Sequence, residues 1–212
     1  MNAVGSDLRS VAAAPRAGMS ATRLRLRQQA VELVRAEQLA DAAYCYDIVG
    51  LDAPAADLLH ARGETLHAPR LLPESGRLTA LACAVCTLGP ALETRIGTLF
   101  AERRASLAMA LDALGNELLM AISRRAQDRM LVDARRRGLT MAGELRAGDP
   151  GLALDAQASV LRLAQSELIG VRLAGGQLMH PLKSVSMVLG VGVGLPPVQW
   201  SRCDDCPHRA KC

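Results

Sequence analysis

A leucine stripe constrains this chain more than any other feature. Leu107, Leu111, Leu114, Leu118 and Ile122 recur at spacings of four, three, four and four residues. Side chains so spaced share one face of a helix. The pattern predicts a long helix running to about Arg137 and stopping at Gly138, where glycine accommodates a left-handed C-terminal turn. An apolar stripe of that length needs a second layer to cover it. A second strong signal is RLTALACAVCTL at 77–88, an uninterrupted apolar run closed by Gly89-Pro90. Its length and its Gly-Pro stop read as a buried strand.

Other elements follow from local signals. Residues 1–20 read as a loose leader. Ser20 is placed to cap a helix whose apolar face takes in Leu24, Gln28, Val31, Leu33 and Val34, ending near Leu39. Pro54 suits the first turn of a short helix over Pro54–Ala61, and Pro90 opens another through about Arg104. Residues 146–151, RAGDPG, are turn chemistry. A helix is expected from about Asp155 to Ser166, a strand over 168–174, a turn at Gly175-Gly176, and a last strand over SVSMVLGVGVG, ended by Pro196-Pro197. Helices and strands do not alternate regularly, so the fold class is α+β with a small, mostly antiparallel sheet.

Composition limits the function. Four aromatics, Tyr44, Tyr46, Phe100 and Trp200, are too few for a stacking platform on single-stranded nucleic acid. A net charge of +4 permits an anionic partner without demanding one. No apolar run approaches the roughly 20 residues that span a bilayer, and no export signal is evident. The expectation is a cytoplasmic protein with neither a nucleic-acid nor a membrane partner. GVGVG at 190–194 is not a dinucleotide loop, because two prolines follow where the phosphate-binding helix would start.

Six cysteines without an export signal point to metal or redox chemistry rather than disulfides. Cys203 and Cys206 stand in C-x2-C spacing, with Cys212 five residues on. A tight turn aims two such thiolates at one centre. Two metal readings stay open: an iron–sulfur cluster with a fourth ligand from elsewhere, and a zinc knuckle completed by His208. Cys83 and Cys86 form a second C-x2-C. On a strand they point to opposite faces and read as core. Cys86, nearer the strand end, is the favoured fourth ligand for the tail, and Cys45 is another candidate.

Three segments, CTLGPALE at 86–93, LRAGDPGLALDAQ at 145–157 and LMHPLKSVSMVLGVG at 178–192, together resemble the reactivation domain of vitamin B12-dependent methionine synthase, and more closely its small stand-alone relatives. LDALGNELL at 111–119 fits the helix between the first two. The resemblance covers roughly residues 70–212. The expected division of the chain is a leader (1–20), an activation-like domain (21–200) and a Cys-rich tail (201–212). The resemblance implies a curved, mostly antiparallel sheet flanked by helices.

The same resemblance implies S-adenosylmethionine as ligand and a corrinoid protein or corrinoid methyltransferase as partner, the corrinoid being carried by that partner. The function implied is support of reductive methylation of the partner's cobalt. Arg146, Ala147, Gly148 and Asp149 would form the ligand turn, and Glu117 would offer a carboxylate. Pro181, Lys183, Ser184 and Ser186 would line the neighbouring strand. Asp149 stands where the family has a ligand-packing tyrosine, and Arg146 replaces a serine. The alternatives are a non-catalytic docking adaptor for a metalloenzyme and an iron–sulfur electron-transfer protein.

Overall fold

The computed structural model describes residues 18–196. In chain order the elements are α1 Ala21–Ala36, β1 Ala43–Gly50, β2 Leu58–Ala61, β3 Glu64–His67, β4 Arg77–Thr87, α2 Ala91–Ala101, α3 Ala105–Arg136, β5 Thr140–Leu145, α4 Gln157–Leu163, β6 Arg172–Ala174, β7 Leu178–His180 and β8 Ser184–Val193. Short 3-10 turns occupy Pro69–Leu71, Leu154–Ala156 and Ser166–Ile169. Four strands form one sheet in the order β1-β4-β8-β5, and β2-β3 and β6-β7 form two small ribbons. The β5–β8 and β2–β3 pairs are antiparallel. The class is α+β, as expected.

The leucine stripe behaves as its spacing requires. Leu107, Leu111, Leu114, Leu118 and Ile122 are all buried, and the row continues through Ala126, Met130 and Ala134. Each fully buried leucine contributes about 2 kcal/mol of transfer free energy. Gly138, at φ 71°, ends the helix in the left-handed conformation. By length and composition α3 is also apolar enough to cross a membrane. Its apolar row, however, is buried within the protein.

β4 is buried along both faces from Ala80 onward, which is why its sequence is continuously apolar rather than alternating. Cys83 and Cys86 are both fully buried there. Ser20 caps α1 by accepting the N–H of Arg23. The inward face of α1 is Ala30, Val31 and Val34, whereas Leu24, assigned to that face from sequence, is exposed.

The expected helix over Pro54–Ala61 is not formed. The hairpin β2–β3 takes its place, with Arg62 and Gly63 both at positive φ as a primed turn requires. The expected strand at 168–174 shortens to β6, because the 3-10 turn Ser166–Ile169 and left-handed Gly170 use its first half. The helix expected over 155–166 is split into a 3-10 turn and the seven-residue α4.

Two compact units make up the described chain. The first comprises residues up to Tyr44, Cys86–Arg125 and Leu178–Val185, and the second Cys45–Val85, Ala126–Gln177 and Ser186 onward. In the second unit, glycines let backbones approach closely. A Cβ on Gly192 would stand 1.9 Å from the Arg77 carbonyl oxygen, and one on Gly190 would stand 2.9 Å from Leu78 Cδ1.

Candidate functional site

In the first unit the candidate residues gather at the 180–184 turn and the adjoining stretch of α3. Lys183 bridges two α3 residues, its Nζ lying 2.7 Å from Asn116 Oδ1 and 2.7 Å from Asp112 Oδ1. Gly115 lies between those partners in sequence. Having no side chain, it leaves room for Leu92 and for the aliphatic stem of Lys183. The carbonyl of Lys183 accepts the Leu88 N–H at 2.9 Å. Ser184 donates to Thr87 Oγ1 at 2.8 Å or to the Pro181 carbonyl at 2.7 Å. Glu93 accepts the Leu182 N–H and lies 3.6 Å from His180 Nδ1. These bonds tie the turn to α2, to α3 and to the end of β4.

Glu117 is engaged by Arg27, which grips both carboxylate oxygens at 2.9 and 2.8 Å. Bidentate charge-assisted bonds of this kind are among the stronger ones, and both side chains are largely shielded, at 11% and 18% exposure.

In the second unit the RAGDPG segment forms a closed turn directly after β5. Asp149 Oδ2 accepts the Arg146 N–H at 2.8 Å, and the Asp149 N–H returns to the Arg146 carbonyl at 2.8 Å. Gly148 adopts φ 95°, and its N–H reaches the Leu152 carbonyl at 2.9 Å. A side chain there would strain the backbone. The Arg146 guanidinium is paired with Glu144 at 2.8 Å. The Asp149 carboxylate thus closes the turn where the resembling family presents an aromatic ring.

Ser186 is buried within β8 at 2% exposure. The structure therefore brings together Lys183, Ser184 and Pro181 in one unit, where Glu117 also lies, and Arg146 through Asp149 in the other. Arg27, Asp112, Asn116, Glu93 and Glu144 were missed in the sequence. The one local signal was the pair Asp112 and Asn116 at i, i+4, which share one helix face.

The metal candidates Cys203, Cys206, Cys212 and His208 lie outside the described residues. Cys86 lies inside them, fully buried in β4. Among the described residues no three His, Cys, Asp or Glu side chains converge on a metal position. Burial pushes the Cys83 thiol up to about 12, with the Asp47 charge adding to it, and pushes Cys45 up to about 11. Neither is a thiolate near neutrality, so neither is poised as a nucleophile.

No described protein family matches the sequence, and no curated protein matches it. Among solved structures the chain is similar to the MetH reactivation domain bound to AdoHcy. The TM-score is 0.62 with 14% sequence identity, over 88% of this chain and 72% of that one. At that identity the likeness is one of architecture. The chain has the fold of the MetH reactivation domain, the fold that its three sequence segments implied.

Proposed function

We propose that the protein is a corrinoid reactivation module. It binds S-adenosylmethionine and supports methylation of the cobalt of a corrinoid protein or methyltransferase. One observation carries this reading: the fold match spans 88% of the chain and is to a domain solved with AdoHcy, the demethylated form of that ligand.

The donor set suits such a molecule. S-adenosylmethionine offers a carboxylate, an ammonium and a sulfonium, and calls for a guanidinium or backbone N–H groups on one side and carboxylates on the other. Arg146, 16% exposed, supplies the guanidinium beside the Gly148 turn, and its ion pair with Glu144 fixes its orientation before a ligand arrives. When bound, the ligand supplies an electrophilic methyl group. The S–CH3 bond breaks with its electron pair left on sulfur, and the new Co–C bond uses the pair of one-electron-reduced cobalt. Consuming reduced cobalt in this way draws an unfavourable reduction forward by mass action.

The electron comes, on this reading, from an iron–sulfur cluster on Cys203, Cys206 and Cys212, with Cys86 as the candidate fourth ligand; the alternative is a zinc site, which carries no electron. Iron and sulfide assay of protein purified without oxygen tests the cluster, and Cys86→Ser tests that ligand. Colourless protein containing zinc removes the redox role.

A specific observation supports a second reading, a docking adaptor without ligand. The carboxylate of Asp149 is used inside its own turn. Titration calorimetry separates the two. Heat with AdoHcy that disappears in Arg146→Ala, with the fold intact by circular dichroism, supports the module. Absence of heat at millimolar ligand, together with a stable complex with a corrinoid protein, supports the adaptor.

A further inference from the structure

The second unit contains a cavity that the corrinoid reading does not use. Its volume is about 510 Å³, within the range of small-molecule sites. Its walls come from α4, the 3-10 turn Ser166–Ile169 and β6. The RAGDPG turn does not line it.

The chain makes this hollow by folding back on itself. α4 ends at Leu163. Gln165 then takes φ 56° and Gly170 φ 69°, two left-handed residues that turn the backbone on either side of the 3-10 turn. Ser166 and Val171 fasten the two ends of the reversal. The Ser166 carbonyl accepts the Val171 N–H at 3.1 Å, and the Ser166 hydroxyl donates to the Val171 carbonyl at 2.9 Å. Both residues are buried. The hollow is therefore shaped before a ligand arrives, which lowers the entropy lost on binding.

The floor is apolar. Leu161 and Val171 are buried there, and Ala158 and Leu173 are half-buried beside them. Leu168 also lines the cavity and is 75% exposed. Small-molecule sites combine such a lining with a few polar groups that orient the ligand.

The long polar side chains around this floor are of two kinds. Arg162 and Gln165 are engaged by the fold. Two hydrogen bonds, of 2.5 and 2.8 Å, join Arg162 to Glu64, and the Gln165 amide donates to Asp47 at 3.1 Å. Glu167 and Arg172 differ from them. Both are exposed and both line the cavity. Among the described residues neither side chain makes a hydrogen bond or an ion pair, not even with the other. The apolar hollow thus carries one carboxylate and one guanidinium, neither of them neutralised.

We infer that this cavity binds a small apolar zwitterion, an α-amino acid or a short peptide with free ends. Its carboxylate sits on Arg172, its ammonium on Glu167 and its apolar side chain over Leu161 and Val171. A fatty anion would leave Glu167 without a counter-ion, and an apolar amine would leave Arg172 without one. A molecule carrying both charges complements both groups. This inference does not depend on the corrinoid reading.

The test is titration of the full chain, followed by ligand NMR signals, with five probes. Leucine and leucyl-leucine carry every feature. N-acetyl-leucine lacks the ammonium, leucine amide lacks the carboxylate, and glycylglycine lacks the apolar side chain. Leucine or leucyl-leucine is expected to bind, the tighter of the two identifying the source, and each deficient probe to bind about tenfold more weakly. The variants should cross. Arg172→Gln is expected to weaken leucine and N-acetyl-leucine about tenfold and to leave leucine amide unchanged. Glu167→Gln is expected to weaken leucine and leucine amide and to leave N-acetyl-leucine unchanged. Ala158→Phe, which fills the hollow, is expected to abolish binding. Arg77→Gln, at an exposed arginine of the same unit outside the cavity, is expected to leave it unchanged. Absence of binding at millimolar leucine and leucyl-leucine, glycylglycine binding as tightly as leucine, or equal losses in Arg77→Gln and Arg172→Gln each overturns the inference. Circular dichroism confirms that every variant is folded.

Discussion

Two glycines inside helices make a controlled pair for testing the packing described above. Gly97 lies in α2 and Gly115 in α3, so replacing either with alanine gains about 1 kcal/mol of helix propensity. Their surroundings differ. A Cβ at Gly97 meets nothing within 4 Å, whereas one at Gly115 would stand 2.5 Å from Leu92 Cδ2 and 3.6 Å from Lys183 Cε. Leu92 is fully buried, so any shift of its Cδ2 has to be taken up by the core around it. Overpacking of this kind costs about 1–3 kcal/mol. Gly97→Ala should therefore stabilise by about 0.5–1 kcal/mol. Gly115→Ala should destabilise by about 1 kcal/mol, since the clash at a fully buried leucine exceeds the propensity gain. A gap of about 2 kcal/mol corresponds to roughly 4–8 °C in melting temperature for a chain of this size. Urea denaturation followed by circular dichroism reads both variants. Stabilisation by Gly115→Ala equal to that by Gly97→Ala would refute the packing argument at Gly115.

Other outcomes follow from particular contacts. Glu117→Ala leaves the shielded Arg27 without its bidentate counter-ion and should cost about 1–3 kcal/mol in urea denaturation, with Glu117→Gln costing less. Two hydrogen bonds from Arg162 hold the Glu64 carboxyl down at about 2, against an ordinary 4.5. A depressed carboxyl stabilises the fold fully above its unfolded value, so this contribution should fade as pH falls from about 4.5 toward 2, and Glu64→Gln should flatten that part of the stability profile. With thiol pKa values near 12 and 11, Cys83 and Cys45 should resist iodoacetamide at pH 8 in folded protein and react once guanidinium unfolds it, as peptide mapping would show.

The legible parts of the fold were those in which burial acts on contiguous sequence. β4 is buried on both faces and α3 along one unbroken row, so one reads as an apolar run and the other as a helical stripe. β1 escaped notice because AYCYDIVG is only partly buried and lacks clean alternation. β5 is six residues long, and its register shifts between Ala142 and Leu145, where Gly143 takes φ 74°. The β2–β3 hairpin turns on Arg62-Gly63, which carries none of the Asn-Gly or Asp-Gly signal of a primed turn. At the candidate site, residue types were readable and partners were not. Arg27 and Glu117 lie 90 positions apart, and Lys183 and Asn116 lie 67 apart. Nothing local in a sequence announces an ion pair made across such spans.

The GVGVG stretch invites comparison with nucleotide-binding loops, yet its glycines answer to a different demand. Gly192 has a carbonyl where any methyl would go, and Gly190 has a leucine methyl there. Saturation of these two codons followed by selection for soluble, folded product should return glycine almost alone, whatever ligands are supplied or withheld. The motif is a seam in the fabric of the sheet, kept bare so that the strands can close.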